Sequence, residues 1–463
     1  MKYRSYLILI LILLLAAFLR LYRLPEMAPF DYDQAWAANF AYRIIHEYPI
    51  QFIGQGLSVE GLFMGPIGFY LLTPFYLLTN LHPLGGSIGA VFFGLLIIAS
   101  YFFVGKELIS KEAGLVAAFI RTITYLEISN DLNPAPLTIS ELLVIWLWWA
   151  FYKYWHGQKK ALILIAIILG LFTSMHPVHL PFYLVVPIFL IAKRSWPGFK
   201  NILLSVIGFF IAISPLLIFQ FLHNFLEAKR FIDLFTKPSG EPKTIANLIH
   251  WAQFNLEEIS RVLTIDIAHK EYIGLLVLII FSILVWKRVG FWKDKFHASV
   301  SILVIAIFLI YYGLLLPKNV TEYYFLALRV LVILYVGASL SLLIMKKNYI
   351  TTTLLGLILI YLTIVNFSSL QKEWDNPSKV SLYHKDFIVS EIIKRQPQNQ
   401  VFYVSYISNL GWNFGFDYLF KYYGKIPQTI EAKPPIYTTV IPKSLSAGSL
   451  DIVSGNIGLI LPK

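Results

Sequence analysis

Apolar segments of about 20 residues recur through most of this 463-residue chain, and they constrain its fold more than any other feature. A membrane-crossing α-helix needs roughly 20 consecutive apolar residues to cover the hydrocarbon core of a bilayer. With 57% hydrophobic and only 14% charged residues, the chain has more apolar surface than a soluble core of this length could bury. We therefore predict an all-α polytopic membrane protein. Its transmembrane helices, about 11 in number, are expected near residues 5–22, 86–105, 113–128, 137–154, 161–175, 178–192, 202–222, 272–286, 298–316, 323–345 and 349–368.

The Lys and Arg residues between these segments predict the orientation of the chain, because cytoplasmic loops of membrane proteins are enriched in them. Basic clusters occur at every second loop: Lys2 and Arg4; Lys106 and Lys111; Lys153, Lys159 and Lys160; Lys193, Arg194 and Lys200; Lys287, Arg288, Lys293 and Lys295; Lys346 and Lys347. We therefore expect a cytoplasmic N-terminus. The basic loops also account for the net charge of +12 without nucleic-acid binding. Because the first apolar segment has no small-residue cleavage site, we expect it to be a retained anchor.

The segment 62–78 is also hydrophobic enough to cross the membrane, but counting it as a span would separate the N-terminus from the other basic clusters. It contains four residues that bend or interrupt helices: Gly65, Pro66, Gly68 and Pro74. We therefore expect a bent helix lying along the membrane interface. The first external loop then runs from about residue 23 to residue 86.

Two longer segments are expected on the extracytoplasmic side. The connection 223–271 carries apolar residues at helical spacing, which predicts an amphipathic helix; a solvated connector without a role is an equal alternative. Residues 369–463 are richer in Asn, Lys, Gln, Pro and Ser and contain two strand-like runs, 401–407 and 457–461. We therefore divide the chain into a transmembrane domain, 1–368, and a small C-terminal soluble α/β domain. Cysteine is absent from the sequence, which excludes disulfides and thiolate chemistry.

Ionisable residues at the mouth of a helical bundle are functional candidates because they are costly to keep in or near lipid. The predicted extracytoplasmic side collects several: Asp31, Asp33, Glu127, Asp131, Glu141, His176 and His179. Asp33 lies near the start of an amphipathic helix, where it could equally be an ordinary N-cap. Asp131 precedes Pro134, and an Asx-turn would explain it structurally.

The remaining candidates also have two interpretations each. His176 and His179 are spaced for metal binding on a helical turn, although a His-Pro turn is the more common explanation. Arg121 lies well inside the third apolar segment and needs a partner, and we expect a buried ion pair with Glu141 or a contact with a lipid phosphate.

Taken together, these elements resemble the GT-C glycosyltransferases, specifically the protein-O-mannosyltransferase and aminoarabinose-transferase-like group. In that family an Asp-Glu pair opens the helix after the first span, and here Asp33-Gln34-Ala35-Trp36 takes that place. Gln34 replaces the usual Glu, while Asp31 gives an Asp-x-Asp pattern closer to the oligosaccharyltransferases. Four further elements match in order: Met64-Gly65-Pro66-Ile67-Gly68-Phe69-Tyr70, without the family's basic residue; Asp131-Leu132-Asn133-Pro134; Met175-His176-Pro177; and Glu322-Tyr323-Tyr324-Phe325-Leu326-Ala327-Leu328-Arg329.

The resemblance implies a membrane glycosyltransferase that moves a sugar from a polyprenyl-phosphate donor to a protein or glycolipid acceptor on the extracytoplasmic face. Asp33 would be the general base, with Asp31 as a second catalytic candidate. His176 and Arg329 would hold the lipid phosphate, and Tyr323 and Tyr324 would line the sugar pocket. Alternatively, Asp31 and Asp131 would suit a divalent metal ion that supplies the positive charge for the phosphate.

Two alternatives accompany this interpretation. A transporter or flippase for a polar or lipid-linked substrate would use intramembrane charges as a pathway, but its charges would be expected near the midplane rather than in external loops. A non-catalytic relative that has kept the scaffold is suggested by Gln34 and by the missing basic residue of the interfacial helix.

Overall fold

The computed structural model describes residues 3–236, 246, 249, 294–312, 324, 326–345, 348–377, 380–396, 400–428 and 435–462. These residues form a helical bundle, against whose first long connection a small α/β domain packs. The span expected at 272–286 and Tyr323 lie outside the described residues. So does most of the amphipathic helix expected within 223–271, of which the structure describes residues 223–236, 246 and 249.

The bundle contains the following described helices in chain order: α1 (Arg4–Leu21), α2 (Leu24–Met27), α3 (Tyr32–His46), α4 (Ile67–Leu78), α5 (Leu84–Leu108), α6 (Lys111–Ile123), α7 (Tyr125–Asn130), α8 (Pro136–Trp155), α9 (Ala161–Phe172), a 3₁₀ turn (Pro177–His179), α10 (Phe182–Lys193), α11 (Phe199–Leu222), α12 (Leu226–Thr236), α13 (Lys295–Ile310), α14 (Leu326–Met345) and α15 (Tyr349–Asp375). Five of the described helices are long and apolar enough to cross a membrane: α1, α5, α11, α14 and α15. The chain is therefore a multi-pass, mainly helical membrane protein, as its apolar segments predicted.

Small residues let the central helices α5, α6 and α14 approach each other closely. A Cβ on Gly105 would lie 2.9 Å from the Cα of Gly114, and a Cβ on Gly337 would lie 2.7 Å from the Cβ of Ala117. Helices in lipid gain little from hydrophobic burial and associate through such close contacts instead. The packing buries α6 between its neighbours and places Arg121 near the centre of the bundle, 1% exposed.

Helix α4 does not reverse the direction of the chain. Its 12 residues span only about 18 Å, short of the roughly 30 Å hydrocarbon core. At the start of α1 the Tyr6 hydroxyl accepts a hydrogen bond from Lys106 Nζ at the end of α5, at 3.2 Å. Helices α1 and α5 therefore run antiparallel although α4 lies between them, as expected if α4 does not cross the membrane.

Other contacts join the predicted basic loops at the same end of the bundle: Lys153 Nζ with the Glu107 carboxylate, Lys159 Nζ with Ser195 Oγ, and His156 Nε2 with Asp294 Oδ2 at 2.9 Å. The loops that carry the candidate site residues occupy the opposite end.

The expected continuous span at 113–128 is wrong, because the helix breaks at Thr124. This residue has an extended backbone (φ −64°, ψ 117°), and its hydroxyl donates to the Ile120 carbonyl at 2.7 Å. The first amide of α7, Tyr125 N, donates instead to Asn366 Oδ1 of α15 at 2.8 Å. The break turns α7 so that Glu127 faces back toward Arg121.

The C-terminal part begins with α15, which runs to Asp375 rather than ending near residue 368 as expected. It continues through α16 (Leu382–Arg395), β1 (Tyr403–Ser408), α17 (Phe416–Tyr422), β2 (Ile436–Ile441), a 3₁₀ turn (Lys443–Leu445), β3 (Ile452–Ser454) and β4 (Ile457–Ile460). The strands form one sheet in the order β1-β2-β4-β3, in which β1 and β2 are parallel and the other pairs antiparallel. Two of these strands, β1 and β4, confirm the predicted runs at 401–407 and 457–461 within two residues.

The α/β domain shares its apolar core with the first long connection of the bundle. Ile388 of α16 and Leu459 of β4 belong to the same buried cluster as Phe30 and Phe40, which precede and lie within α3. The domain is therefore packed onto the segment that carries the predicted catalytic aspartates.

Candidate functional site

The predicted base, Asp33, lies in the first turn of α3, but it is not the N-cap. Asp31 holds the N-cap position, and the third residue of the helix, Gln34, reaches back so that its Oε1 accepts the Asp31 amide at 2.7 Å. This reciprocal arrangement satisfies backbone donors that a helix start leaves unpaired. The N-cap role that the sequence offered for Asp33 is therefore held by Asp31, and Asp33 does not cap the helix.

Asp33 is exposed, and one neighbouring side chain orients it. Gln55 Nε2 donates to Asp33 Oδ1 at 2.6 Å, while Gln55 itself is 9% exposed. Gln55 sits in a hairpin-like turn, where the Met64 amide donates to its carbonyl at 2.9 Å. A buried amide that holds an exposed carboxylate fixes its direction while leaving it accessible from outside. Sequence reasoning missed Gln55, because no spacing connects it to Asp33.

The same hairpin docks on the turn that carries His176. Gly65 N donates to the Thr173 carbonyl at 3.0 Å, and a Cβ on Gly65 would lie 2.2 Å from Ser174 Oγ. Only a residue without a side chain fits this approach. The structure thereby brings the second and fourth predicted elements, residues 64–70 and 175–177, together at one end of the bundle.

The third predicted element, residues 131–134, contacts the first element through Gln34. Its Nε2 donates to Asn133 Oδ1 at 2.8 Å, so the residue that replaces the family's Glu links α3 to the loop after α7. This loop belongs to the predicted acidic segment that begins at Asp131. Two pairs of expected elements, the first with the third and the second with the fourth, are thus in contact although the members of each pair lie about 100 residues apart along the chain.

Asp131 itself points into the bundle and is buried, 1% exposed. Arg121 binds both of its oxygens, Nη2 to Oδ1 at 2.8 Å and Nη1 to Oδ2 at 3.0 Å, and Arg20 Nε lies 2.6 Å from Oδ2. A carboxylate held by two guanidinium groups is paired with positive charge on both oxygens. The position therefore does not fit the expected role of Asp131 in metal or substrate binding, and the Asx-turn interpretation misses its buried partners.

These contacts extend into a network of six buried charges: Arg20, Arg121, Arg329, Glu127, Asp131 and Glu141. Arg121 also binds Glu141, with Nε 3.0 Å from Oε1 and Nη2 2.8 Å from Oε2, which confirms the predicted pair. Arg329 Nε lies 3.3 Å from Glu127 Oε1. The three carboxylates balance the three arginines. Of these residues, sequence reasoning missed the role of Arg20, although an arginine inside an apolar segment is a signal that could have identified it.

The metal implied by the resemblance does not fit the residues present. Asp131 is taken by two arginines, and Asp31 Oδ1 lies 2.7 Å from Lys385 Nζ. Within the described ranges, no group of three or more His, Asp or Glu side chains converges as a ligand set, and His176 and His179 belong to none. His179 Nε2 is 2.7 Å from Ser140 Oγ instead, and its ring stacks on Phe172.

His176 and Tyr324 meet at the same end of the bundle, with ring centroids 6.3 Å apart. The Val178 amide donates to His176 Nδ1 at 3.2 Å, which places the proton of the neutral ring on Nε2. Burial lowers the pKa of His176 to about 4, so the ring is uncharged at neutral pH. A neutral ring can offer a ligand an N–H donor but no positive charge, which limits how His176 could hold a phosphate.

A further cation lies beside the hairpin and was not predicted. Helix α12 docks there, because Glu227 Oε1 accepts the Phe63 amide at 2.7 Å. Arg230 of the same helix is exposed, and its Cγ would lie 3.1 Å from a Cβ on Gly61. The mouth of the bundle therefore combines an oriented carboxylate, a neutral histidine, a tyrosine and an accessible guanidinium.

Comparison with known proteins connects this geometry to a fold. No protein-family model matches the sequence, and no curated protein is significantly similar to it. ArnT from Cupriavidus metallidurans in the apo state superposes with a TM-score of 0.64 at 9% identity, over 97% of both chains. The form of ArnT bound to undecaprenyl phosphate gives 0.52 at 11% identity, again over 97% of both chains. The Archaeoglobus fulgidus oligosaccharyltransferase with a tethered acceptor peptide gives 0.49 at 14% identity, over 94% of this chain and 64% of that one. The chain therefore shares its fold with ArnT, which is the fold that the resemblance to the GT-C glycosyltransferases led us to expect.

Proposed function

We propose that the protein is an integral-membrane glycosyltransferase that transfers a sugar from a polyprenyl-phosphate donor to an acceptor on the extracytoplasmic face. The observation that carries the proposal is the exposed, oriented carboxylate of Asp33 at the mouth of a bundle that follows ArnT over nearly its whole length. ArnT has been solved with undecaprenyl phosphate, which supports the same class of donor here. The acceptor is a protein or a glycolipid hydroxyl or amide.

Asp33 would act as the general base in this reaction. Gln55 engages Oδ1, and we assign Oδ2 to the proton of the acceptor. As that proton moves to the carboxylate, the acceptor atom bonds to the anomeric carbon, and the bond from this carbon to the phosphate oxygen breaks. The phosphate leaves with the electron pair, and a positioned base accelerates such a step by about 10²–10⁴-fold.

The leaving phosphate needs hydrogen-bond donors and positive charge. We assign His176 Nε2–H as a hydrogen-bond donor to this phosphate. We assign Tyr324, whose ring lies beside that of His176, to binding the sugar or the phosphate, and Tyr323 to the same role. Arg329 would contribute through its field, because its side chain is buried against Glu127. The accessible charge is then supplied by Arg230, which lies beside the hairpin that carries Gln55.

The pairing of the buried charges favours an enzyme over a transporter. Arg20 and Arg121 both bind Asp131 within hydrogen-bond distance, and all three side chains are enclosed. A substrate pathway would need charges that can exchange partners with a passing ligand. The network acts instead as a rigid support beneath the loop that holds Asn133 and Gln34.

The test is Asp33→Asn, which removes the charge and the basicity of the side chain with little change in shape. We expect transfer to fall by at least about 10²-fold, while expression and melting temperature stay as in the wild type. The matched control is Glu26→Gln. Glu26 is another carboxylate of the same connection, and its contact with Arg23 is long, 3.8 Å, so its removal should cost little. Mass spectrometry of glycans and glycolipids from cells with and without the protein identifies the product and hence the transferred sugar. The rate is then measured in membranes supplied with the polyprenyl-phosphate donor of that sugar. Wild-type transfer by a folded Asp33→Asn protein would reject the assignment.

A further inference from the structure

Lys385 of α16 is the most completely enclosed cation of the described C-terminal domain, with 0% exposure. Its Nζ donates to the Phe30 carbonyl at 2.7 Å, to the Phe414 carbonyl at 2.9 Å and to Asp31 Oδ1 at 2.7 Å. An ammonium group has three N–H donors, so these contacts use all of them. Lys385 therefore has no donor left for a substrate.

The residues that Lys385 binds lead directly to the candidate base. Asp31 is the N-cap of α3, and Asp33 follows two residues later in the first turn. Phe30, whose carbonyl Lys385 also binds, immediately precedes the cap. The ammonium group thus holds two consecutive residues at the point where the chain enters the helix.

The surrounding contacts hold the same segment from the same domain. The Leu382 amide donates to the Ala28 carbonyl at 3.0 Å. Gly415 adopts a φ of +92° and approaches so closely that a Cβ would lie 2.8 Å from the Phe30 carbonyl oxygen. Two elements of the α/β domain therefore clamp residues 28–31.

We infer that Lys385 is a positioning residue, through which the C-terminal domain fixes the start of α3 and hence the direction of the Asp33 carboxylate. The inference rests on the proposed function, and it assigns the domain a part in catalysis although none of its residues need touch the substrate. A catalytic group displaced by about 1 Å can lose about 100-fold in rate, so the start of α3 is a place where small movements matter.

Lys385→Met tests the inference without leaving an enclosed charge behind. The Asp31 side chain is 60% exposed, so water can solvate it once the lysine is gone. We expect kcat per folded molecule to fall by about 10- to 100-fold. The KM for the donor should change less than about threefold, because Lys385 binds no substrate.

Lys421→Met is the matched control. Lys421 also joins the α/β domain to α3, but toward the other end of the helix, where its Nζ lies 3.3 Å from Glu47 Oε1 and 3.4 Å from Asn39 Oδ1. If any weakened contact between the domain and α3 slowed the reaction, both variants would lose activity alike. We expect kcat of Lys421→Met to stay within about twofold of wild type.

A readout that does not depend on activity separates this inference from the proposed function. Hydrogen–deuterium exchange of the peptide covering residues 28–36 should become faster in Lys385→Met and stay unchanged in Lys421→Met. Unchanged exchange in Lys385→Met overturns the inference even if no substrate is found. If exchange of this peptide becomes faster in Lys385→Met while kcat stays at the wild-type value, the claim that Lys385 supports catalysis is overturned.

The pair Lys385 and Asp31 gives a last check. Asp31→Asn should lose activity to a smaller extent, because it weakens only one of the three contacts of Lys385. The double variant should lose little more than Lys385→Met alone, since removal of the lysine already breaks that contact. Losses that multiply would show that the two residues act independently and would refute the inference. If the wild-type protein transfers no sugar, the proposed function fails, while the exchange result still decides whether Lys385 orders α3.

Discussion

Removal of Arg121, the centre of the buried charge network, should strongly destabilise the protein. It binds Asp131 and Glu141 with two hydrogen bonds or more each, at 2.8–3.2 Å, and is 1% exposed. In Arg121→Met the buried network keeps three carboxylates against two arginines. Breaking a buried pair by removing one partner costs about 3–5 kcal/mol, because a buried charge is left without compensation. That is a large part of the roughly 5–15 kcal/mol by which folded proteins are stable.

The assay is thermal unfolding of the purified protein in detergent, followed by intrinsic fluorescence, for which the 11 tryptophans give ample signal. We expect the melting midpoint of Arg121→Met to fall by on the order of 10 °C. Arg395→Met, which removes an exposed pair with Glu391 on α16, should shift it only slightly.

The double variant Arg121→Met with Glu141→Gln separates charge balance from packing. It leaves Arg20 and Arg329 opposite Glu127 and Asp131, two charges of each sign, and Tyr101 can still donate to the new amide oxygen. We expect it to recover at least half of the lost stability. A single variant that melts like the wild type, or a double variant no more stable than the single one, would refute the charge-balance reasoning.

Two further predictions follow from the mouth of the bundle. Gln55→Leu should slow transfer by about tenfold, because Asp33 loses the donor at 2.6 Å that orients it, while the melting midpoint changes little; a rate equal to wild type would contradict this role. The second concerns pH. The folded pKa of His176 is about 4, below the value of about 6.5 in an unfolded chain, so the unfolded state binds an extra proton in that window. Stability is therefore retained above about pH 6.5 and falls as the pH drops toward 4. Between about pH 4 and 6.5, the melting midpoint of His176→Gln should depend less steeply on pH than that of the wild type, because about one fewer proton is taken up on unfolding. An unchanged slope would contradict the prediction that His176 is buried in its neutral form.

Much of the architecture could be predicted from local sequence. The apolar length of α1, α5 and α11 depends only on neighbouring residues, and this prediction holds in the described structure. The alternation of basic loops is equally local, and the orientation derived from it stays a prediction. The gathering of Asp33, the loop after Asp131 and the turn before His176 at one end also follows from that alternation, because it requires only the parity of the spans.

The roles of individual charges could not be predicted in this way. Asp131 looked like an exposed loop acid, yet the break at Thr124 turns it toward Arg20 and Arg121, which are 111 and 10 residues away. Spacing could not decide whether Asp31 or Asp33 caps α3, since either position suits a helix start.

The sequence by itself determined that the chain is a multi-pass helical protein with carboxylates gathered at one mouth, because apolar length and loop charge act locally. Only the tertiary structure decided which carboxylate is enclosed, which is a cap and which stays exposed. A charge is stable in the interior only beside its partners, as Asp131 is beside Arg20 and Arg121. The residues that hold Asp31 and Asp33, Lys385 and Gln55, likewise come from parts of the chain that no local pattern connects to them.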